Sequence, residues 1–152
     1  MLRCFLVRHH GGVKKQHTNK FINVHASMYR FLHNTEKEYL EVLDHTLERV
    51  SSVLDPIMDE MTTTLQDEEE YEVESSGDGV MNIKCGSQGT FVVSRQTPAR
   101  QLWLSSPVSG PWHYQYCPDN NEIVWKCTKQ SLSFYNRLSK ELSHVLKREI
   151  HF

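Results

Sequence analysis

The sequence predicts an α+β fold, a two-layer α/β sandwich in which two terminal helices pack on one face of an antiparallel sheet of about six strands. Three observations support it: apolar residues with helical spacing in two segments, alternating apolar and polar residues between those segments, and short polar turns that contain glycine. Sequential strands joined by short turns pair antiparallel, so the two helices can cover one sheet face. The other face is then expected to meet solvent.

The first helix is predicted from Glu36 to Met61, with Asn34 or Thr35 as its N-cap. Acidic residues in its first turn suit the positive end of the helix dipole. Pro56 disfavours helical geometry at the preceding residue, so we expect the helix to kink or restart there. Its apolar stripe, in steps of three and four residues, consists of Leu40, Leu43, Leu47, Val50, Leu54, Ile57, Met58 and Met61.

The strands follow the polar run "TTTLQDEEE", after which the spacing of apolar residues changes from helical to alternating. Six short strands are predicted at "YEVE", "VMNIKC", "TFVVSR", "RQLWLS", "WHYQY" and "EIVWKC". Among the connections, "SSGDG" and "GSQG" are predicted to be tight turns. The last segment, "SLSFYNRLSKELSHVLKREI", returns to helical spacing, with Ser131 or Ser133 as its cap.

Charge divides the chain into a basic leader and an acidic domain. The first acidic residue is Glu36; six basic residues precede it, and beyond them 11 basic residues stand against 19 acidic ones. We therefore predict an organelle transit peptide over residues 1–31, with processing near Arg30, followed by one folded domain over residues 32–152. A basic tail or a nucleic-acid-binding arm is the alternative for the leader.

Composition and missing motifs disfavour several functions. The folded region has 19 acidic and 11 basic residues, whereas a phosphate backbone requires a basic surface, so nucleic-acid binding is not expected. No stretch approaches the ~20 apolar residues of a membrane helix. The sequence contains no nucleophile elbow, phosphate loop or dinucleotide fingerprint. The four cysteines have no metal-binding spacing and are interpreted as reduced thiols.

Acidic residues follow the apolar stripe of the first helix by one position and form a ridge at the edge of its buried face. The ridge can continue into the first strand at Glu70 and Glu72. A solvated helix face is normally charged, which is the alternative interpretation, but close carboxylates repel one another unless a cation relieves them. Oxygen ligands on an open surface favour weak binding of iron, manganese or calcium, and His45 could add an imidazole. The helix members of the ridge are Glu41, Asp44, Glu48, Asp55 and Asp59.

Trp103 has an unusual place in the strand pattern. From Arg100 to Ser105 the chain alternates, so Leu102 and Leu104 share the apolar face and Trp103 lies on the polar one. Because the helices are predicted to cover the apolar face, Trp103 is expected on the open side of the sheet. A tryptophan there either covers part of the fold or binds something outside it.

The segment "GTFVVSRQTPARQLWLSSPVSGPWHY" closely resembles frataxin, together with the preceding acidic helix, the strand "EYEV" and the following "VW", "SLSF" and "KEL". The resemblance covers about residues 35–147. It implies the same two-helix sandwich and, with the leader, a location in the mitochondrial matrix. It also implies weak binding of iron (Fe2+ or Fe3+) at acidic residues and association with the cysteine desulfurase and scaffold complex that builds iron–sulfur clusters.

The resemblance also implies roles for individual residues. The iron-binding positions are Asp44, Glu48, Asp55, Asp59, Glu70 and Glu72. The partner-binding positions are Arg95, Arg100, Gln101, Trp103 and His113. Of these, Arg95, Gln101 and Trp103 are expected on the exposed sheet surface. Trp103 is thereby interpreted as an interface anchor, because tryptophan contributes strongly to binding when a partner desolvates it.

The sequence departs from the family pattern at several positions. His45 and Ser52 stand where related ridges often carry acids, so the ridge is thinner. Ala99 replaces an asparagine that is common after the Gln-Thr-Pro motif, and His113 replaces a basic residue, commonly arginine. Histidine titrates near neutrality, so His113 could make a pH-dependent contact.

The leading hypothesis is an iron-binding protein that docks on the desulfurase and scaffold complex and promotes sulfur transfer or iron supply. No catalytic residue is assigned. One alternative is a ferroxidase that oxidises iron(II) at the acidic ridge, and another is iron storage or chaperoning by oligomerisation. We expect a monomer, with an iron-dependent oligomer as the alternative, and neither a nucleic-acid nor a membrane partner.

Overall fold

The structure is a computed structural model that describes residues 35–65, 70–119 and 122–152. The predicted transit peptide over residues 1–31 and the predicted start of the domain at residue 32 lie outside these ranges. The two helices are α1 (Glu36–Leu65) and α2 (Phe134–Leu146). The strands are β1 (Tyr71–Ser76), β2 (Val80–Cys85), β3 (Thr90–Gln96), β4 (Gln101–Ser106), β5 (Gly110–Asp119) and β6 (Glu122–Cys127).

α1 begins with a reciprocal cap. The backbone N–H of Glu38 donates to Thr35 Oγ1 at 3.2 Å, and the Thr35 N–H donates to Glu38 Oε2 at 2.9 Å, which together form a capping box. The predicted restart at Pro56 is wrong, since one uninterrupted helix includes it. Leu54 and Met58, on either side of Pro56, are both buried, and this packing holds the two halves of the helix on the sheet.

α1 also extends past its predicted end, through the polar segment that begins at Thr62. The hydroxyls of three successive threonines donate to the carbonyl oxygens four residues earlier, at 2.7–2.9 Å. The Thr62 hydroxyl also contacts the carbonyl oxygen of Tyr71 at 3.0 Å, which ties the end of α1 to β1. The last turn of the acidic helix therefore lies beside the first strand.

The six strands form one sheet in the order β1-β2-β3-β4-β5-β6, and all neighbouring strands pair antiparallel. α2 begins at the cap Ser133, whose Oγ accepts a hydrogen bond from the Asn136 N–H at 3.4 Å. Buried residues of both helices and of alternate strand positions belong to one core cluster. The predicted fold class is thus confirmed.

The core lies between the helices and one face of the sheet. Trp125, its largest fully buried side chain, donates its indole N–H to Thr46 Oγ1 of α1 at 2.8 Å, so the polar atom that is buried with it is satisfied. Full burial of a large apolar side chain stabilises the fold by about 1.5–3 kcal/mol. The strand residues of the core are Met81, Ile83, Cys85, Phe91, Val93, Leu102, Leu104, Tyr114 and Trp125.

The described cysteines agree with the prediction of reduced thiols. Cys85, Cys117 and Cys127 are not in disulfide bonds. Burial raises the pKa of the Cys85 thiol to about 12, so this residue stays protonated and packs as a small apolar side chain. Neither described helix is long and apolar enough to cross a membrane.

Candidate functional site

The open face of the sheet carries a tryptophan held in one orientation. The Trp103 side chain is 36% exposed and stacks on His113, its cross-strand partner on β5, with ring centroids 4.1 Å apart and an angle of 15° between the planes. Its indole N–H donates to Gln101 Oε1 at 3.0 Å. We call Gln101, Trp103 and His113 the tryptophan surface. Alternation along β4 places this surface opposite the core residues Leu102 and Leu104.

The two predicted partner-binding arginines lie differently. Arg95 pairs with Leu102 in the β3–β4 register, so it lies on the helix side of the sheet, against Gly79. The expectation that Arg95 lies on the exposed sheet surface is wrong, because Arg95 continues the inward series of Phe91 and Val93 along β3. Arg100 is exposed at the end of the Thr97–Ala99 turn, in the left-handed conformation with φ 49° and ψ 46°. Their roles in partner binding stay predictions.

The predicted iron ligands of α1 are all exposed, and we call Asp44, Glu48, Asp55 and Asp59 the helix acids. His45 Nδ1 lies 3.8 Å from Glu48 Oε2, which gives this carboxylate a partial counter-charge whenever the imidazole is protonated. Partial burial, and then the negative charge of Asp59, raise the pKa of Asp55. Within the described part of the chain, the three aspartates among the helix acids form no ion pair.

A second group of carboxylates lies on the edge strand β1. Glu70, Glu72 and Glu74, here called the strand acids, place one oxygen each within 4.8 Å of one another. Within the described ranges this is the only group of three or more histidine, cysteine or acidic residues so closely placed. Glu74 was missed by the sequence analysis, although it continues the alternation of the other two along the predicted strand.

Lys84 on β2 already supplies a positive charge to the strand acids. Its Nζ lies 2.8 Å from Glu70 Oε1, 3.4 Å from Glu72 Oε2 and 2.8 Å from Glu74 Oε1, and its side chain is only 23% exposed. The hydrogen bond that Lys84 donates to Glu70 is the main reason that the pKa of Lys84 is raised, and the same contact lowers the pKa of Glu70. An entering cation must therefore displace an ammonium group that these carboxylates already bind.

Both acidic groups fit a weakly held, exchangeable cation and neither forms a closed cage. Carboxylate oxygens are suitable ligands for iron(II) as a hard cation, and exposure leaves water in the remaining coordination positions. The three aspartates of the helix acids offer uncompensated charge spread along one helix, whereas the strand acids offer three converging oxygens around an ammonium group. Within the described ranges neither group encloses a cation, so both suit an ion that is carried and released rather than a permanent cofactor.

The motif "SSPVSG" has a structural role that the sequence analysis missed. The Ser106 hydroxyl donates to Glu141 Oε2 of α2, and the Ser109 hydroxyl donates to Glu141 Oε1 at 2.7 Å. Arg137 pairs with Glu141 at 3.3 Å, and its guanidinium lies 3.6 Å from the centre of the Trp112 ring. Arg137 and Glu141 are both buried, so this pair anchors the β4–β5 turn to α2. A carboxylate thus partners the two serines, which makes them part of the scaffold.

The sequence of this chain is similar to those of known proteins. The family described as Frataxin-like domain matches residues 32–148. The chain is 34% identical over 118 residues to the mitochondrial frataxin homolog of Schizosaccharomyces pombe, across 78% of this chain and 70% of that protein. The chain belongs to the frataxin family.

A second frataxin relative, the mitochondrial frataxin homolog of Drosophila melanogaster, is 36% identical over 126 residues, across 79% of this chain and 66% of that protein. Both relatives are named mitochondrial, which supports a mitochondrial location for this chain. The solved frataxin of Psychromonas ingrahamii has the same fold, with a TM-score of 0.54 at 16% identity, over 77% of this chain and 96% of that one. The six-stranded sheet with two helices is therefore the frataxin fold.

Proposed function

We propose that this protein binds iron weakly and docks on the cysteine desulfurase and scaffold complex of the mitochondrial matrix, where it promotes sulfur transfer or iron supply to iron–sulfur clusters. The observation that carries the proposal is the exposed Trp103, stacked on His113 and hydrogen-bonded to Gln101 on a sheet face that the helices leave open.

The tryptophan surface suits docking because it is already ordered. The stack on His113 and the bond to Gln101 restrain both torsion angles of the Trp103 side chain before a partner arrives. The Trp103 side chain then loses less conformational entropy on binding than a mobile side chain would. Desolvation of the remaining exposed ring supplies the favourable energy, as at the aromatic anchors of other interfaces.

Iron is proposed to bind first at the helix acids. Asp55 and Asp59 repel one another, and a divalent cation between carboxylates relieves that repulsion. The strand acids Glu70 and Glu72, together with Glu74, bind iron second, because Lys84 must leave them. This order follows from charge alone and does not depend on the docking surface.

The test is sulfide production by a purified desulfurase and scaffold complex, with and without this protein and with and without iron(II). Trp103→Ala should raise the protein concentration needed for half-maximal stimulation about 30-fold, as expected for a hot-spot residue worth about 2 kcal/mol. Val108→Ala is the matched control, since Val108 is the other exposed large apolar side chain of the described residues, at 49% exposure. It should leave the stimulation unchanged.

The outcomes separate the alternatives. Equal loss in both variants, or unfolding of Trp103→Ala by circular dichroism, would refute the docking role of Trp103. Catalytic oxidation of iron(II) by dioxygen, with this protein as the only protein present, would favour a ferroxidase if Asp44→Ala and Glu48→Ala abolished it and sulfide production was not stimulated. Stimulation that persists without iron would assign the docking surface to activation and leave iron supply to a separate step.

A further inference from the structure

We infer that Tyr39 of α1 is a positioning residue for the tryptophan surface: its hydroxyl holds the backbone of Gln101, whose side chain in turn holds Trp103. The inference rests on the proposed docking function, because it explains how the docking surface is kept in place. It connects the acidic helix, on one side of the sheet, to the tryptophan surface on the other side.

The Tyr39 hydroxyl completes the end of the β3–β4 pair. It donates to the carbonyl oxygen of Gln101 at 2.8 Å and accepts from the backbone N–H of Gln96 at 3.1 Å. Gln96 and Gln101 are the last register pair before the turn. The hydroxyl thus bridges β3 and β4, with one hydrogen bond to each strand, at the point where their pairing ends.

The turn between the two strands is short and passes through an unfavourable backbone conformation. Between the two glutamines the chain makes a single 3₁₀ turn, Thr97–Ala99, and then passes through Arg100 in the left-handed conformation, which is unfavourable for a residue with a side chain. The Arg100 N–H closes the turn on the Thr97 carbonyl oxygen at 3.1 Å. A bond from the helix layer is therefore well placed to fix where β4 begins.

Tyr39 is itself rigidly held. Its side chain is fully buried, at 0% exposure, and its ring meets Trp125 edge-on, with centroids 6.1 Å apart at 84°. Burial raises the pKa of Tyr39, so the hydroxyl stays protonated and able to donate at neutral pH. The buried Tyr39 therefore fixes the position of the Gln101 backbone relative to the core.

The last link is within β4. Gln101 and Trp103 lie two residues apart on the same face of the strand, and the Gln101 amide oxygen accepts from the indole N–H at 3.0 Å. A shift of the Gln101 backbone moves that oxygen and so releases the indole. Trp103 would then keep the stack on His113 but lose the bond that fixes its rotation.

The test compares two tyrosine substitutions. Tyr39→Phe removes the hydroxyl and keeps the ring. Tyr114→Phe is the matched control, since Tyr114 is also fully buried and its hydroxyl, beside Arg137, makes no hydrogen bond of normal geometry within the described structure. The measurements are the Trp103 indole N–H resonance in a ¹H–¹⁵N spectrum and the Kd for the desulfurase and scaffold complex.

We expect Tyr39→Phe to move the Trp103 indole resonance and to weaken docking about fivefold, while Tyr114→Phe changes neither. In the background of Trp103→Ala, Tyr39→Phe should cause no further loss of docking, because the two act through one contact. An unmoved indole resonance in a folded Tyr39→Phe protein, or an equal further loss in the double variant, would overturn the inference.

A second measurement needs no substitution and covers the case in which Tyr39→Phe does not fold. The Gln96 amide of the native protein should exchange with solvent at least tenfold more slowly than the exposed turn amides that follow it, because Tyr39 accepts its hydrogen. Exchange as fast as in the turn would overturn the inference. If Trp103→Ala leaves docking intact, the proposed function fails, yet the indole resonance and the Gln96 exchange still decide the role of Tyr39.

Discussion

The helix acids and the strand acids are two exposed carboxylate groups on α1 and β1, two elements joined by the contact between Thr62 and Tyr71, yet their charges are balanced differently. Asp55 and Asp59 repel one another, and the pKa of Asp55 is raised. Glu70 lies against Lys84, and the pKa of Glu70 is lowered. Carboxylates on neighbouring elements thus differ in how much of their negative charge is still available to a cation.

The difference teaches that a count of acidic residues overestimates the capacity for iron. A lysine among carboxylates acts as a resident cation, and a metal ion gains only the excess of its own attraction over that of the ammonium group. The strand acids converge better than the helix acids, since three of their oxygens lie within 4.8 Å of one another. Geometry and charge therefore favour different groups, and substitution of single charges can separate the two effects.

The largest effect is expected from Lys84→Gln, which removes the resident cation and keeps the three carboxylates. Affinity of the strand acids for iron(II) should rise about tenfold, because one positive charge no longer competes at contact distance. Anaerobic isothermal titration calorimetry would measure it. Lys140→Gln is the control, since it makes the same change at an exposed position of α2. An equal rise in both variants would attribute the gain to net charge and remove the special position of Lys84.

The next effect concerns the helix acids. Asp55→Asn combined with Asp59→Asn should weaken the first iron(II) binding step about fivefold, because it removes both members of the uncompensated pair. Glu41→Gln is the control on the same helix, where Lys37 already lies 3.6 Å from the carboxylate. The same titration measures both. If Glu41→Gln costs as much as the double variant, proximity to a lysine does not reduce the contribution of a carboxylate.

Sequence reasoning recovered the fold because every element repeats its signal over several turns or strands. The apolar stripe of α1 and the alternation in β2 to β4 each contain several consistent positions, so single exceptions such as Pro56 do not change the result. The same periodicity correctly put Trp103 on the open face.

The details of the site depend on contacts between distant positions, which periodicity does not contain. Lys84 joins the strand acids only through the β1–β2 register, in which it faces Glu72. Pairing the two predicted strands across their turn could have revealed it. Tyr39 and Glu141 reach their partners across 62 and 35 residues, and no pattern in the sequence marks those pairs.

The smallest effect is on stability, and it should have opposite signs for the two acidic groups. The pKa of Asp55 is raised in the folded state, so its charge costs stability at neutral pH, and that cost disappears as pH falls through the folded pKa. Asp55→Asn should therefore stabilise the protein at pH 7 by a few tenths of a kcal/mol, the size of one like-charge pair on a helix.

Glu70 should behave in the opposite way. Its pKa is lowered by Lys84, so its charge contributes stability at neutral pH that is lost as pH falls through the lowered pKa. Urea unfolding of Asp55→Asn and Glu70→Gln in EDTA, at pH 7 and near pH 3, tests both: the first variant should be more stable and the second less stable at pH 7, with both differences shrinking in acid. Changes of the same sign at pH 7 would mean that Lys84 does not distinguish the strand acids from the helix acids, and that the proposed preference of iron for the helix acids has no electrostatic basis.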